Sequence, residues 1–296
     1  MMDGIFIIDK APGMTSHDVV ARVRRIIRQK RVGHAGTLDP MATGVLPVVV
    51  GRATRLVEYL ADADKAYRAT VRLGATSDTY DREGVISITP GAVMPSRQEI
   101  ENALDGFRGE IEQIPPMHSA LKVGGQKLYD LARQGIEVAR QARLITISRL
   151  EIEAYLPPHL QLFVECSKGT YIRSLAYDLG AKLGTGALLD GLVRTRVGGF
   201  TLDEATTLEG LEAAFAEGTW QEILRPPESI LVGWPIYQLD EDTQKEILQG
   251  KAVGIAGAEA AQRRTAAVRG RDGNLLAIVE WNSITELWQP KKVFGS

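Results

Sequence analysis

The chain has 296 residues, 44% hydrophobic and 24% charged, with a formal net charge of -2 at pH 7. That length accommodates one large domain and a small one, and no apolar run approaches the ~18 residues of a membrane span. Its single cysteine, Cys166, excludes an intrachain disulfide and a thiolate zinc cluster, and the near-zero charge gives no global mark of a nucleic-acid partner.

The opening Met1-Met2-Asp3-Gly4 lacks the basic and apolar regions of a secretory signal, so the cytoplasm is the expected compartment. Ile5-Phe6-Ile7-Ile8 reads as a short buried strand and Pro12-Gly13 as a turn. Thr15 with Asp18 has capping-box spacing and predicts a helix with Val19, Val23, Ile26 and Ile27 on its apolar side. Between Asp18 and Asp39 there is no acid, while Arg22, Arg24, Arg25, Arg28, Lys30 and Arg31 supply six cations. Val45 to Val50 predicts a central strand and Tyr67 to Leu73 another, followed by a polar loop from Gly74 to Gly84. Ser96 to Phe107 reads as helical. Residues 115–145, opened by Pro115-Pro116 and turned at Gly124-Gly125, read as an excursion from the core. Ile145 to Tyr155 and Leu160 to Ser167 read as neighbouring strands. Lys168-Gly169 then turns the chain into a helix through Leu179, closed by Gly180 or Gly184. A second basic region sets Lys122, Lys127, Arg133, Arg140, Arg143 and Arg149 against Asp130 and Glu137. Around Arg225-Pro226-Pro227-Glu228 the composition turns linker-like, and glycine-punctuated strand patterns follow. The order of strands and helices predicts an α+β domain around a mixed or antiparallel sheet.

Several chemistries lack their motifs: there is no phosphate loop, no G-x-G-x-x-G after a strand, no H-E-x-x-H and no G-x-S-x-G. His17, His34, His118 and His159 are scattered without metal-ligand spacing, so no metal or nucleotide cofactor is expected. The most informative stretch is Gly33-His34-Ala35-Gly36-Thr37-Leu38-Asp39-Pro40-Met41-Ala42-Thr43-Gly44. Small, turn-forming residues hold a single carboxylate there, and Pro40 pushes Asp39 towards an extended backbone. Asp before Pro is also a common turn initiator. Taken singly, Tyr67 fits a half-buried strand aromatic and Arg173 a helix-surface arginine.

In combination these segments closely resemble the bacterial tRNA pseudouridine-55 synthases of the TruB family. The resemblance is carried by Gly33 to Gly44, Asp64-Lys65-Ala66-Tyr67-Arg68 and Cys166-Ser167-Lys168-Gly169-Thr170-Tyr171-Ile172-Arg173. Asp9 to Asp18, Leu73-Gly74, Ser77-Asp78-Thr79-Tyr80-Asp81 and Ile114 to Lys122 add to it. It covers nearly all of residues 4–200. Two positions depart from the family's pattern: Val193, where a second arginine is usual, and Leu188, where a histidine is common. Both lie outside the catalytic motifs.

The resemblance implies a pseudouridine-synthase fold over residues 1–228, with an RNA-gripping insertion at about 115–145. Residues 229–296 would form a small β-rich, PUA-like RNA-binding domain. It implies isomerisation of the T-loop uridine at position 55 of tRNA, after base flipping, with Asp39 as the essential carboxylate. Tyr67 and Arg173 would be its catalytic partners, and His34, Gly36, Tyr171, Lys10 and Lys122 substrate-binding residues. His34 would fill the space of the extruded base, and the two basic segments would hold phosphates. The implied partner is the T-arm stem-loop of tRNA; no cofactor, membrane or obligate protein partner is implied, and the chain is expected to be a monomer. Two other readings follow from the same residues: a non-catalytic RNA-binding protein or tRNA-folding chaperone, and a glycosidase, for which no second carboxylate beside Asp39 stands out.

Overall fold

The computed structural model describes residues 2–119, 121–255 and 264–294, without the side chains of Lys122, Val123, Lys127 and Arg133. Strand β1 (Gly4–Lys10) carries the apolar run Ile5 to Ile8, and its alternate residues enter two different cores. Phe6 and Ile8 join one cluster, Ile5 and Ile7 the other. A strand covered on both faces needs no polar alternation, which explains the continuous apolar run. Helix α1 (Ser16–Ile27) begins at the Thr15–Asp18 capping box and buries Val19, Val20 and Val23. The chain returns through β2 (Val32–His34) and β3 (Thr43–Val50), which pairs antiparallel with β1.

A 3-10 turn and the short helix α2 (Val57–Ala61) lead into β4 (Lys65–Leu73). The segment expected as a polar loop instead opens with β5 (Ala75–Ser77), hairpin-paired to β6 (Ile86–Ile88). Helix α3 (Arg97–Leu104) is capped by Ser96 and Glu99 and followed by β7 (Gly109–Gln113). The chain then leaves the sheet through β8 (Lys122–Val123), β9 (Gln126–Lys127) and α4 (Leu128–Arg133). It rejoins at β10 (Arg143–Leu156), where Arg143 lies opposite Gln113, so the base of the excursion is closed by the β7–β10 ladder. Met117, Leu128 and Leu131 give the excursion a small core of its own.

Strand β11 (His159–Cys166) lies between β10 and β4, helix α5 (Ile172–Lys182) follows, and β12 (Ala187–Val197) returns to the middle of the sheet. Gly180 lies inside α5, where an added Cβ would sit 2.1 Å from the Ala187 nitrogen. Of the two expected closing glycines, Gly184 is the one with positive φ after the helix. β13 (Phe200–Thr201), α6 (Leu208–Glu217) and β14 (Leu224–Arg225) complete a mixed sheet. Its main path runs β14-β1-β3-β12-β4-β11-β10-β7, with only β3 and β12 parallel. The expectation of a mixed α+β sheet is met. Leu188, one of the two departures, is fully buried in β12, where an apolar side chain packs without a polar partner.

The segment that reads as a linker is not one. Arg225 pairs with Ile5 across the sheet edge, Pro227–Ile230 forms a 3-10 turn, and Ile230 and Leu231 are buried. Proline is tolerated at an edge strand and at the first position of a helical turn, so Pro226-Pro227 does not break the structure. Beyond it stands a separate four-stranded sheet of β15 (Ile236–Gln238), β16 (Thr265–Arg269), β17 (Leu275–Asn282) and β18 (Leu287–Val293), with helix α7 (Glu241–Leu248). Ala267, Ile278 and Phe294 from this part join the second core, beside Ile5, Ile7 and Val45.

Candidate active site

Asp39 occupies the first position of a tight turn: the Ala42 N–H donates to its carbonyl at 3.1 Å, and Pro40 holds the second position. The turn leaves the Asp39 side chain free, and it points at Arg173. Every carbonyl from Gly36 to Pro40 accepts a hydrogen bond. Arg194 donates to Gly36 at 3.0 Å and Thr37 at 3.5 Å. The Ser16 hydroxyl donates to Leu38 at 3.2 Å while accepting from its N–H at 2.9 Å. Lys10 Nζ at 3.1 Å and the Gly13 N–H at 2.9 Å both reach Pro40. A loop so held has little freedom left to lose when a substrate binds. Gly44 ends it at φ +96°, where a Cβ would lie 2.3 Å from the Arg194 carbonyl oxygen. No side chain fits there.

The Asp39 carboxylate borders a cavity of about 290 Å³ lined by Gly36, Tyr67, Gly169 to Arg173, Leu192 and Arg194 among others. Its side chain keeps 37% of its exposure, and that opening gives a ligand access to it. Arg173, buried at the first turn of α5, meets it with Nε 3.0 Å from Oδ2 and Nη2 3.3 Å from Oδ1. The same guanidinium lies 3.4 Å from buried Asp81 and donates to the carbonyls of Thr79 at 3.1 Å and His118 at 2.8 Å. Burial pushes the Asp39 carboxyl above the usual carboxylate range; Arg173 pulls it back, Asp81 pushes it up again, and Lys10 adds a smaller downward pull. Tyr67 is almost wholly buried, its hydroxyl accepts from Arg194, and burial holds its pKa above that of a free phenol.

Asp39, Tyr67, Gly36, Tyr171 and Arg173 thus meet at one cavity. Lys10, expected at the substrate, is fully buried beneath the loop and spends its ammonium on the Ala11 and Pro40 carbonyls. It braces the turn and has no surface to offer a ligand. His34 lies outside the lining, its ring edge-on to His17 with centroids 5.4 Å apart and its buried Nδ1 unpartnered. Desolvation, then His17 and Arg194, lower its pKa to about 4, so it is neutral at physiological pH. The Lys122 side chain lies outside the described residues. Part of each basic segment is engaged internally: Arg22 with Glu209 and Glu212, Arg140 with the Pro115 carbonyl, Arg149 with Glu151.

The roles of three further residues are not legible in the sequence. Ser16 clasps the Asp39 loop, Asp81 is a second carboxylate on Arg173, and fully buried Arg194 fastens loop and tyrosine from β12. The available signal for Arg194 was a cation, with Arg196 two residues on, in the largely apolar strand Ala187 to Val197. Asp81 is 5% exposed and faces Arg173 rather than the cavity, so it is not placed to protonate a sugar, which disfavours the glycosidase reading. A second depression, of about 450 Å³, lies beside the C-terminal sheet. Its carboxylates Asp3, Glu228 and Asp272 are already held by Arg52, Arg269 and Asn274.

Two family models match the chain. One is the N-terminal domain of the TruB family pseudouridylate synthases, over residues 24–172; the other is the tRNA pseudouridylate synthase B C-terminal domain, over residues 173–232. The tRNA pseudouridine synthase B of Dehalococcoides mccartyi is 46% identical over 293 residues, covering 99% of this chain and 97% of that protein. That of Heliobacterium modesticaldum is 45% identical over 298 residues, covering 99% and 96%. Among solved structures, a chain of a Cbf5–Nop10–Gar1 complex aligns with a TM-score of 0.78 and 28% identity, covering 99% of this chain and 85% of that one. A chain of an H/ACA ribonucleoprotein bound to a substrate RNA containing 2′-deoxyuridine aligns with a TM-score of 0.75 and 26% identity over the same shares.

Proposed function

The chain belongs to the TruB family of pseudouridylate synthases, and from that premise we propose that it converts the T-loop uridine of tRNA, position 55, to pseudouridine, with Asp39 as the reacting carboxylate. The observation that carries this reading is one carboxylate on a fully hydrogen-bonded loop, ion-paired to a buried arginine and facing a cavity walled by a tyrosine. Isomerisation breaks the uracil N1–C1′ bond, the base leaving with the electron pair. After rotation C5 bonds to C1′ and the C5 hydrogen departs as a proton. Ionised Asp39 serves this either by bonding to C1′ or by taking the 2′ proton. Arg173 keeps it ionised and aimed, and Tyr67 supplies an aromatic wall for the extruded base.

In this proposal residues 1–228 form the catalytic unit and 229–296 an RNA-binding unit of PUA type, acting as a monomer. The shared core through Ala267, Ile278 and Phe294 supports a fixed orientation of the second unit on the first. The test is a T-arm stem-loop tritiated at uridine C5. Wild-type protein is expected to release tritium from the T-loop uridine alone; tight binding without release would favour the chaperone reading.

The pH dependence follows from Asp39. Its ionised form is lost as pH falls through a pKa raised above the ~3.9 of a free aspartate. The single-turnover rate constant at subsaturating RNA, which reports the free protein, should therefore decline on acidification before an unperturbed aspartate would begin to titrate. His34, titrating near pH 4, adds no limb around pH 6.5. A rate that stays flat down to pH 4.5 would contradict the raised value.

A further inference from the structure

Asp81, the second anion on Arg173, stands in the turn between β5 and β6, and the residue before it is strained. Tyr80 has φ 65°, in the left-handed region that a bulky side chain rarely enters. The other two non-glycine residues with positive φ among the described residues, Arg28 and Glu286, end a helix and precede a hairpin strand. Such a conformation persists only where its surroundings over-determine it. Here the backbone does so: the Tyr80 N–H donates to the Ser77 carbonyl at 3.2 Å, and the Tyr80 carbonyl accepts from the Leu189 N–H at 2.9 Å. The Arg82 N–H returns to the Leu189 carbonyl at 3.0 Å, so β12 grips the chain on both sides of Asp81.

A glycine would hold this backbone more easily; what it would lack is the ring. That ring stacks on Tyr177, with centroids 4.0 Å apart and planes 17° from parallel. Tyr177 lies on α5 four residues after Arg173, one turn along the same face. Helix α5 therefore meets the turn twice, once through Arg173 on Asp81 and the Thr79 carbonyl, once through the ring pair. The Tyr80 hydroxyl accepts from Arg140. Arg140 belongs to the excursion and also donates to the Pro115 carbonyl, at the start of that segment, at 3.1 Å. Tyr80 thus touches the excursion with its hydroxyl and α5 with its ring, immediately before the carboxylate that shares Arg173 with Asp39.

We propose that Tyr80 is a positioning residue for the reaction: held between Tyr177 and Arg140, it fixes Asp81 against Arg173, and so makes the geometry at Asp39 depend on the seating of the excursion. The proposal rests on the reading of the chain as a pseudouridine synthase. Asp81 Oδ2 lies 3.4 Å from Arg173, while its Oδ1 accepts from the Thr79 hydroxyl at 2.6 Å and the Glu83 N–H at 3.0 Å. All of these groups ride on the one turn, so a rotation that freed Tyr80 would withdraw Asp81 as a unit. Arg173 would then be left to Asp39 and the two carbonyls. Tyr80 does not line the cavity at Asp39, so its effect passes through this pair.

The test is a cycle of Tyr80→Gly with Asp81→Asn, read in two ways: single-turnover tritium release at saturating T-arm RNA, and titration of the Asp39 carboxyl by carboxyl-carbon NMR in the free proteins. Tyr80→Gly alone should slow release at least about 10-fold, with RNA affinity within about 3-fold of wild type. It should also lower the Asp39 pKa, because Asp81 pushes that pKa up. On Asp81→Asn the same change should cost less than about 3-fold and leave the Asp39 titration where it was. Tyr80→Phe keeps the stack and loses the Arg140 bond; it should fall between wild type and Tyr80→Gly, and Arg140→Gln should match it. Tyr80→Phe carries the same cycle if Tyr80→Gly does not fold. Equal losses in both backgrounds, or an Asp39 titration that moves as far with Asp81→Asn as without it, would show a merely structural role and overturn the proposal. Absence of tritium release by the wild type would defeat the enzymatic reading, while the titration still decides the positioning.

Discussion

Asp39→Asn is expected to slow pseudouridine formation by at least about 10⁴-fold, roughly 5 kcal/mol of barrier, while leaving RNA affinity within a few-fold of wild type. Asparagine keeps the size of the side chain, and the loop beneath it is held by carbonyl contacts that do not involve the carboxylate. What is lost is the charge, which one route needs to bond C1′ and the other to take the 2′ proton. The substitution has a second expected consequence of opposite sign. A carboxyl whose folded pKa lies above its unfolded value favours the protonated fold, so its ionisation costs stability above the folded pKa. That cost disappears as pH falls below the unfolded value. Asp39→Asn removes it, so the variant should melt no lower than wild type at pH 7, and any advantage should shrink towards pH 4. Single-turnover tritium release and thermal melting at the two pH values read both effects. A variant that keeps more than about a hundredth of the wild-type rate would refute the assignment of Asp39.

The sequence discloses this site unevenly, for physical reasons. Local devices can be read directly: the Thr15–Asp18 box, the Ile5 to Ile8 run and the Asp39-Pro40 turn all depend on neighbours within a few residues. The charged groups that hold the turn from below cannot. Lys10 and Arg194 are ordinary surface residues by composition, and only the pairing of β12 with both β3 and β4 draws Arg194 beneath a loop more than 150 residues earlier. Asp81 stood within a recognised motif, yet its role as the second anion on Arg173 arises from α5, itself nearly a hundred residues further on. Basic segments mislead in the other direction. Arg22, Arg140 and Arg149 count towards a patch by sequence and are engaged internally in the fold, whereas among the described residues no acid pairs with Arg25, Arg28, Lys30 or Arg143.

Arg173→Met is expected to cost the fold about 3–5 kcal/mol at pH 7, together with most of the activity. The guanidinium sits between two carboxylates, Asp39 at 3.0 Å and Asp81 at 3.4 Å, and is itself 7% exposed. Methionine fills much of the volume but leaves like charges facing each other, Asp81 with little water to screen it, and it strips donors from the Thr79 and His118 carbonyls. Asp39, already raised by burial, then loses the downward pull of Arg173 and binds a proton more readily in the fold than in the unfolded chain, so the deficit should shrink as pH falls from 7 towards 5, as the linkage requires. Removing the second anion should also recover part of the loss: in a cycle with Asp81→Asn, the coupling is expected to exceed about 1 kcal/mol. Urea denaturation of the four proteins at both pH values measures these terms; a deficit below about 1 kcal/mol, unaffected by Asp81→Asn, would show the network to be energetically idle. The His118 contact gives the residue a further consequence. That carbonyl belongs to the excursion between β7 and β10, so the cation that keeps Asp39 ionised also ties the excursion to the cavity wall. Loosening of the excursion and loss of catalytic charge should accordingly appear together in Arg173→Met, and separately in Asp39→Asn, which retains the His118 bond.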